Sequence, residues 1–353
     1  MDIPSVQGIR PLVSQVFQVD PDLYANVARV RLRPSISLWT DAQLSAEYEI
    51  SSLYHSTALV FGVQTKENRR QVINLHWTPA QQDHLAVTHF IDRLHFRQTT
   101  GIWDIVVGRQ RIAWGTGRVW NPTDLFNPIN PTSFAKVEKD GVDAAMVKIH
   151  LGDFTDLSLV VNPQRGWTKN NAGFRFRTNY SEFDFSLMGG GFDDRAVVGA
   201  DFAGNLFSAG VRGEGIVSAI TGELDSSYVK VILGIDYQFS PDIYAMVEYH
   251  FNGEGSLQKA HYDLRRLASG EIVNVGTNYV TAQTSLLIHP LVSVNLSFTR
   301  NLDDRSHFFA LAASYSASNE LTMACGGQLF VGDDFSEYWW YPNSLYFKAE
   351  FFF

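Results

Sequence analysis

The sequence predicts an all-β chain closed into a transmembrane antiparallel β-barrel of about 16–18 strands. Apolar and polar residues alternate with period two in repeated segments of about ten residues, the pattern of a strand with lipid on one face and water on the other. Aromatic residues are abundant, with 25 Phe, 14 Tyr and 8 Trp among 353 residues. Short turns also interleave with longer polar connections. A helix-spanning membrane protein is excluded, because apolar runs such as Ala58 to Val63 fall far short of the roughly 20 residues a spanning helix needs.

The C-terminal strand shows the alternation well. From Leu345, one face carries Leu345, Phe347, Ala349, Phe351 and Phe353, and the other carries Tyr346, Lys348, Glu350 and Phe352. A Lys-Glu pair on alternate positions suits a wet lumen and not the dry core of a soluble sandwich. Between Tyr228 and Phe239, Val229, Val231, Leu233, Ile235, Tyr237 and Phe239 oppose Lys230, Asp236 and Gln238. After a Ser240-Pro241-Asp242 turn, Ile243, Ala245, Val247, Tyr249 and Phe251 oppose Tyr244, Glu248, His250 and Asn252. Val292 to Thr299 repeats the pattern.

Tight turns are expected at Thr40-Asp41-Ala42, Thr99-Thr100-Gly101, Gly152-Asp153-Phe154, Gly204-Asn205 and Asn319-Glu320. Counting back from the C-terminus puts strands of one direction near 305–317, 277–288, 226–239, 194–203, 171–179, 141–151, 86–98 and 24–39, with antiparallel partners between them. Residues 1–20 read as a first strand or a periplasmic extension and residues 21–353 as the barrel, which leaves no room for a second globular domain. Met1-Asp2-Ile3-Pro4 lacks the basic start and apolar stretch of a secretory leader, so a leader is expected in the precursor.

The single cysteine, Cys325, excludes an intramolecular disulfide, a CxxCH haem site and a multi-cysteine metal site. It falls on an outward face with Leu321, Met323 and Leu329. The formal charge of -9 argues against nucleic acid as a partner.

The run Tyr346-Phe347-Lys348-Ala349-Glu350-Phe351-Phe352-Phe353 resembles the terminal strand of bacterial outer-membrane proteins, which ends in an aromatic residue read by the barrel-assembly machinery. The stretches Gly108 to Gly115, Asn121 to Pro128 and Asn301 to Asp304 look like a family of uncharacterised porin-like proteins of Gram-negative bacteria, and that resemblance covers most of the chain. Alginate-export barrels are a more distant likeness, in pattern only. The resemblance implies a barrel in the outer membrane, in contact with its lipid and lipopolysaccharide, and names no solute.

The candidate pore-lining residues follow from the alternation. Arg29, Arg31 and Arg33 form an inward stripe, the next strand turns Glu47 and Glu49 to the same lumen, and a tight turn would set Glu49 beside Arg33. Arg93, His95 and Arg97, then Lys148, Arg175, Arg177, Arg212 and Lys230, add inward positive charge. Asp184, Glu214, Asp236, Glu248, Lys348 and Glu350 share that face. Such a lining reads either as an anion-favouring pore or as a charge lattice that stiffens the wall. Gly108 marks a candidate bulge, since Arg109 and Arg111 otherwise fall beside Ile105 and Val107.

The connection from Trp114 to Asp140 is rich in Pro, Asn and Gly. It is the candidate constriction loop, with Arg118, Asp124 and Lys136 as its charged residues and Glu138 and Lys139 beyond them. A second long connection, Gly253 to Asn274, is expected to hold a short helix over Leu257 to Ala268 with Arg265 and Arg266 exposed. Acidic pairs at Asp193-Asp194, Asp303-Asp304 and Asp333-Asp334 fall at outer tips, as solvated loop charge or as sites for divalent cations. No GxSxG, HExxH or metal-ligand spacing is present, and His250 near Glu248, or His89 and His95, are the only acid-base candidates. The leading expectation is a channel for passive diffusion or export of small, anionic solutes that needs no cofactor. Its alternatives are a sheath for a lumen-filling partner such as a multihaem electron conduit, and an outer-membrane enzyme. Homo-oligomers are compatible with each.

Overall fold

The computed structural model describes residues 2–8, 22–56, 70–126, 141–164, 170–220, 223–269 and 271–353. Its strands are β1 (Asp2–Gly8), β2 (Asp22–Leu32), β3 (Ser35–Trp39), β4 (Ala42–His55), β5 (His76–Gln81), β6 (Leu85–Thr100), β7 (Trp103–Gln110), β8 (Val142–His150), β9 (Asp156–Asn162) and β10 (Asn171–Tyr180). The second half holds β11 (Phe183–Phe192), β12 (Arg195–Leu206), β13 (Ala209–Ile220), β14 (Glu223–Ser240), β15 (Ile243–Asn252), β16 (Asn278–His289), β17 (Val292–Asn301), β18 (His307–Ser316), β19 (Leu321–Val331) and β20 (Asn343–Phe351). No described helix is long and apolar enough to cross a membrane.

All pairings are antiparallel and follow the chain, and β1 pairs with both β2 and β20, so the ring closes. Among the described residues the sheet has 20 strands. β3 is β2 resumed after Arg33 and Pro34, both halves lying against β4. Pro34 has no N–H to give the ladder, but its carbonyl accepts from Ala46 N–H at 3.0 Å, so the break is one-sided. β5 is a short strand against the outer half of β6, while β7 pairs with the other half of that edge. Leaving out β3 and β5 as separate staves, 18 strands form the wall.

The descending strands read from the sequence correspond to β18, β16, β14, β12, β10, β8, β6 and the β2–β3 stave. Outward positions are apolar and exposed: Val30, Leu32 and Ile36, then Leu233, Ile235, Tyr237 and Phe239, then Leu296, Leu329 and Leu345. An apolar exterior around a polar interior is stable in hydrocarbon and costly in water. Trp39, Trp103, Phe154, Tyr180, Phe207 and Phe353 lie exposed at the short-turn end, where an aromatic girdle meets the membrane interface. Cys325 is exposed on the outward face of β19.

Two register readings need correction. Gly204-Asn205 is not a turn: Gly204 pairs with Val211 inside the β12–β13 ladder, and a side chain there would run into the ring of Phe183. The chain reverses at Phe207-Ser208, with Phe207 at φ 57°. Glu49 is opposite Arg31 and not Arg33, because the reversal at Thr40-Asp41 is followed by a register shift between Ser37 and Trp39 that displaces the pairing.

At the loop end, Asp193, Asp303 and Asp304 have partners within the protein. Asp193 and Asp194 both have positive φ, the geometry of a two-residue hairpin turn that Asp tolerates, and Asp193 takes a bidentate pair from Arg70 at 2.7 and 2.8 Å. Asp303 accepts from the N–H groups of Thr277 and Asn278, and Asp304 from Ser306, Tyr262 and the N–H of Glu337. No metal-binding cluster of His, Cys, Asp or Glu occurs among the described residues. In the second long connection the helix is shorter than expected, Leu264–Ser269, and Arg266 is held by Glu254 at 2.6 Å and Glu271 at 2.8 Å instead of being free in solvent.

Glu337, in the loop before β20, is 1% exposed and ties these connections together. Its carboxylate accepts from Tyr279 at 2.6 Å, Asn301 at 2.8 Å and the N–H of Val275 at 3.2 Å. Burial pushes its pKa up to about 7, and the hydrogen bonds from Tyr279, Asn301 and Val275 offset only part of that rise. A raised acid pKa means the fold favours the protonated form. The group's contribution is therefore full below its ordinary value of 4.5 and is lost as pH rises through about 7. The expected result is a loosening of these loops between about pH 4.5 and 7 worth on the order of 3 kcal/mol. Amide exchange at Val275, Gly276 and Glu337, corrected for intrinsic rates, measures it. Protection that does not fall, or falls equally in Glu337→Gln, would refute it.

Candidate functional site

The inner face of the barrel is crossed by the segment that follows β7. Gly108 has φ 118°, and a Cβ there would collide with the Leu94 carbonyl, so only glycine fits. The β6–β7 register runs through Gly108 without a shift, so it is a glycine-dependent distortion and not a bulge; the register shift on β6 lies at Asp92. Just beyond, Arg109 is 3% exposed although alternation would turn it outward. Its guanidinium pairs with Asp143 at 2.7 and 3.1 Å and donates to the carbonyls of Ile91 and Ile73. That knot fixes β6, β7, β8 and the approach to β5 where the chain leaves the wall.

Residues 111–126 then pack against the inner wall. Ile112, Trp114 and Phe126 join Val142 and Ala144 of β8, Val160 of β9, Met188 and Phe192 of β11, Val197 of β12 and Ile216 of β13 in one buried cluster. Trp120 stacks on His250 of β15 at 4.9 Å and leans on Tyr279 of β16 at 5.3 Å. Two carboxylates hold the backbone between these anchors. Glu248 accepts from the N–H groups of Arg118, Val119 and Trp120 at 2.9, 3.2 and 2.8 Å. Glu214 accepts from Gly117 N–H at 3.0 Å and from the Thr123 hydroxyl, and Arg212 donates to the Thr116 carbonyl at 3.1 Å.

Three residues expected to face solvent in the pore are therefore covered. Glu248 is 0%, Glu214 4% and Asp124 2% exposed. Both glutamates do sit on the inward faces of their strands, but the loop lies over them and their carboxyl oxygens accept from its backbone N–H groups and the Thr123 hydroxyl. Arg118 has its N–H pinned while its side chain is exposed, and that guanidinium has no hydrogen bond or ion pair among the described residues. Lys136, Glu138 and Lys139 lie outside the described residues, as do residues 9–20 of the N-terminal segment.

The remaining inward cations are mostly matched with acids. Arg31 bonds Glu49 at 2.6 Å and Arg29 lies 3.8 Å from it, while Arg33 and Arg93 lie 3.6 and 3.2 Å from Glu47. Arg97 pairs with Asp104, Arg175 with Asp201, Arg177 with Asp156, Arg212 with Asp236, Lys230 with Glu254 and Lys348 with Glu350. Lys148 has no such partner among the described residues, and His95 is half-buried between Arg93 and Arg97 on the same strand. The opposite part of the lining is neutral. β16 to β19 turn inward Thr281, Gln283, Ser285, Ser293, Asn295, Ser297, Thr299, Ser314 and Gln328, the first eight bonded in cross-strand pairs such as Ser285–Asn295 at 2.6 Å and Thr281–Thr299 at 2.9 Å.

Comparison with known proteins settles the fold. No family model and no curated protein matches the chain. Among solved structures, OccD3 (OpdP) of Pseudomonas aeruginosa superposes with a TM-score of 0.58 at 9% identity, over 99% of this chain and 88% of that one. OccK11 (OpdR) of the same organism gives 0.55 at 9% identity, over 100% and 94%. The fold is a porin-type barrel. Within it, the residues that sequence alone did not mark are Trp120, Thr123 and Tyr279, which hold the inward segment in place. A Trp-Asn-Pro run beside paired glycines was the visible signal of the first two.

Proposed function

We propose that this porin-type barrel is an outer-membrane channel for small solutes, narrowed by residues 111–126 and biased toward anions by the arginines of its lining. The observation that carries the reading is Arg118. Its backbone is fixed by a buried carboxylate while its side chain stands exposed, with no ion pair among the described residues, so the loop presents a positive charge at the point where it crosses the lumen. The wall arginines contribute less, since most are neutralised locally. A lumen already packed with its own segment favours a channel over a sheath around a second polypeptide. The likeness to alginate-export barrels rests on sequence pattern alone and adds no solute.

Single-channel recording of the purified chain in a planar bilayer under a salt gradient tests the proposal. Discrete steps with an anion-favouring reversal potential are expected. Arg118→Glu should shift that potential toward cations, by an energy on the order of 1 kcal/mol, or several-fold in permeability ratio. An inserted but silent barrel would overturn the channel reading, and an unmoved reversal potential would overturn the role of Arg118.

A further inference from the structure

Nearly every outward position on the described strands is apolar, aromatic or small, which makes one departure informative. Arg300, next to last on β17, shares its face with Leu296 and Phe298 and is cross-strand partner to His307, the first residue of β18. Of the lysines and arginines on described strands, only Arg109 also falls on the outward face, and it is enclosed with Asp143. Arg300 is not enclosed. Its guanidinium has no hydrogen bond or ion pair among the described residues, and the residues that pair with Arg300 and His307 on the flanking strands are Val280 and Val331.

His307 is set by its surroundings. Its Nδ1 lies 3.3 Å from the Arg305 carbonyl, and its ring sits 5.6 Å from Phe298 and 5.5 Å from Phe309, which are 4.9 Å from each other. Arg305 in the hairpin above is exposed. Asp303 in that hairpin directs its oxygens to Thr277 and Asn278. An arginine beside a histidine at the loop end of the exterior, over an aromatic floor continuous with Leu296, Phe309 and Leu311, has the polarity of a headgroup above acyl chains.

We propose that Arg300 and His307 form a docking point on the barrel exterior for a phosphate of outer-leaflet lipopolysaccharide, with Phe298 and Phe309 beneath its acyl chains. The assignment rests on the barrel lying in the outer membrane, and not on conduction. Two oxygens of a tetrahedral phosphate match the guanidinium fork, with the imidazole ring, whose Nδ1–H faces the Arg305 carbonyl, packed beside it. The apolar floor selects a lipid over a free anion.

Native mass spectrometry of the full chain in detergent tests this with diphosphorylated lipid A, the same lipid stripped of its phosphates, and inorganic phosphate. The expected result is a preference of roughly tenfold for the phosphorylated lipid, lost in Arg300→Gln combined with His307→Gln and partly kept in Arg300→Lys. Heat-dependent gel mobility, unchanged in each variant, shows that the barrel is intact. Equal binding of the two lipids, an undiminished preference in the double variant, or displacement by inorganic phosphate at lipid-equivalent concentration would overturn the proposal. A barrel that never conducts but keeps the lipid preference refutes the transport reading and leaves this one standing.

Discussion

Replacing Glu248 with Ala is expected to release the inward segment and raise single-channel conductance. Glu248 is the common acceptor of three consecutive N–H groups, and its neighbour Glu214 takes a fourth. Without Glu248, those three donors lose their acceptor at a site closed to water. Each orphaned group costs about 1–3 kcal/mol, so the segment's placement weakens by on the order of 4 kcal/mol. Trp114 and Phe126 keep the two ends of the segment packed, so the freed part is its middle, around Arg118. Larger and noisier current steps in Glu248→Ala, and larger still with Glu214→Ala, are the signature. Unchanged step size in the double variant would mean that the apolar packing alone positions the loop. Glu248→Gln, which keeps one of the two acceptor oxygens, should fall between.

The knot at Arg109 should show the largest loss of stability. Asp143→Ala leaves a guanidinium that is 3% exposed facing two carbonyls with no counter-charge, a loss of about 3–5 kcal/mol. Arg109→Met paired with Asp143→Leu should be less damaging than the two single changes summed, because it removes the charge with its partner. Denaturant unfolding in detergent, followed by intrinsic tryptophan fluorescence, measures all four chains. Additive losses would show that the two residues do not act as a pair.

Most of the wall was legible from the sequence, because lipid on one side and water on the other impose a period of two that no loop can disguise. β14, β15, β17 and β20 could be read with their faces assigned. Errors arose where a local signal competed with a non-local fit. Gly204-Asn205 has turn composition, but its glycine makes room for Phe183 on a neighbouring strand. The Arg33–Glu49 pairing failed because a register shift in β3 has no compositional mark. Alternation also assigned Glu214 and Glu248 inward, and composition put Asp124 in the constriction loop, without showing what would cover them. That cover is a loop path set by aromatic contacts with β8 through β16, which spacing along the chain does not encode.

The neutral stretch from β16 to β19 sits in a ring whose other staves hold the fixed ions, so the potential inside has a gradient across the bore as well as along it. A passing molecule with a charged end and an uncharged end feels a torque. It turns until the charged end rides along the ionic staves and the other end along the hydroxyl and amide groups. On the channel reading proposed above, the bore would sort solutes by the width they present once aligned, and two isomers of equal mass and charge but different charge placement would pass at different rates.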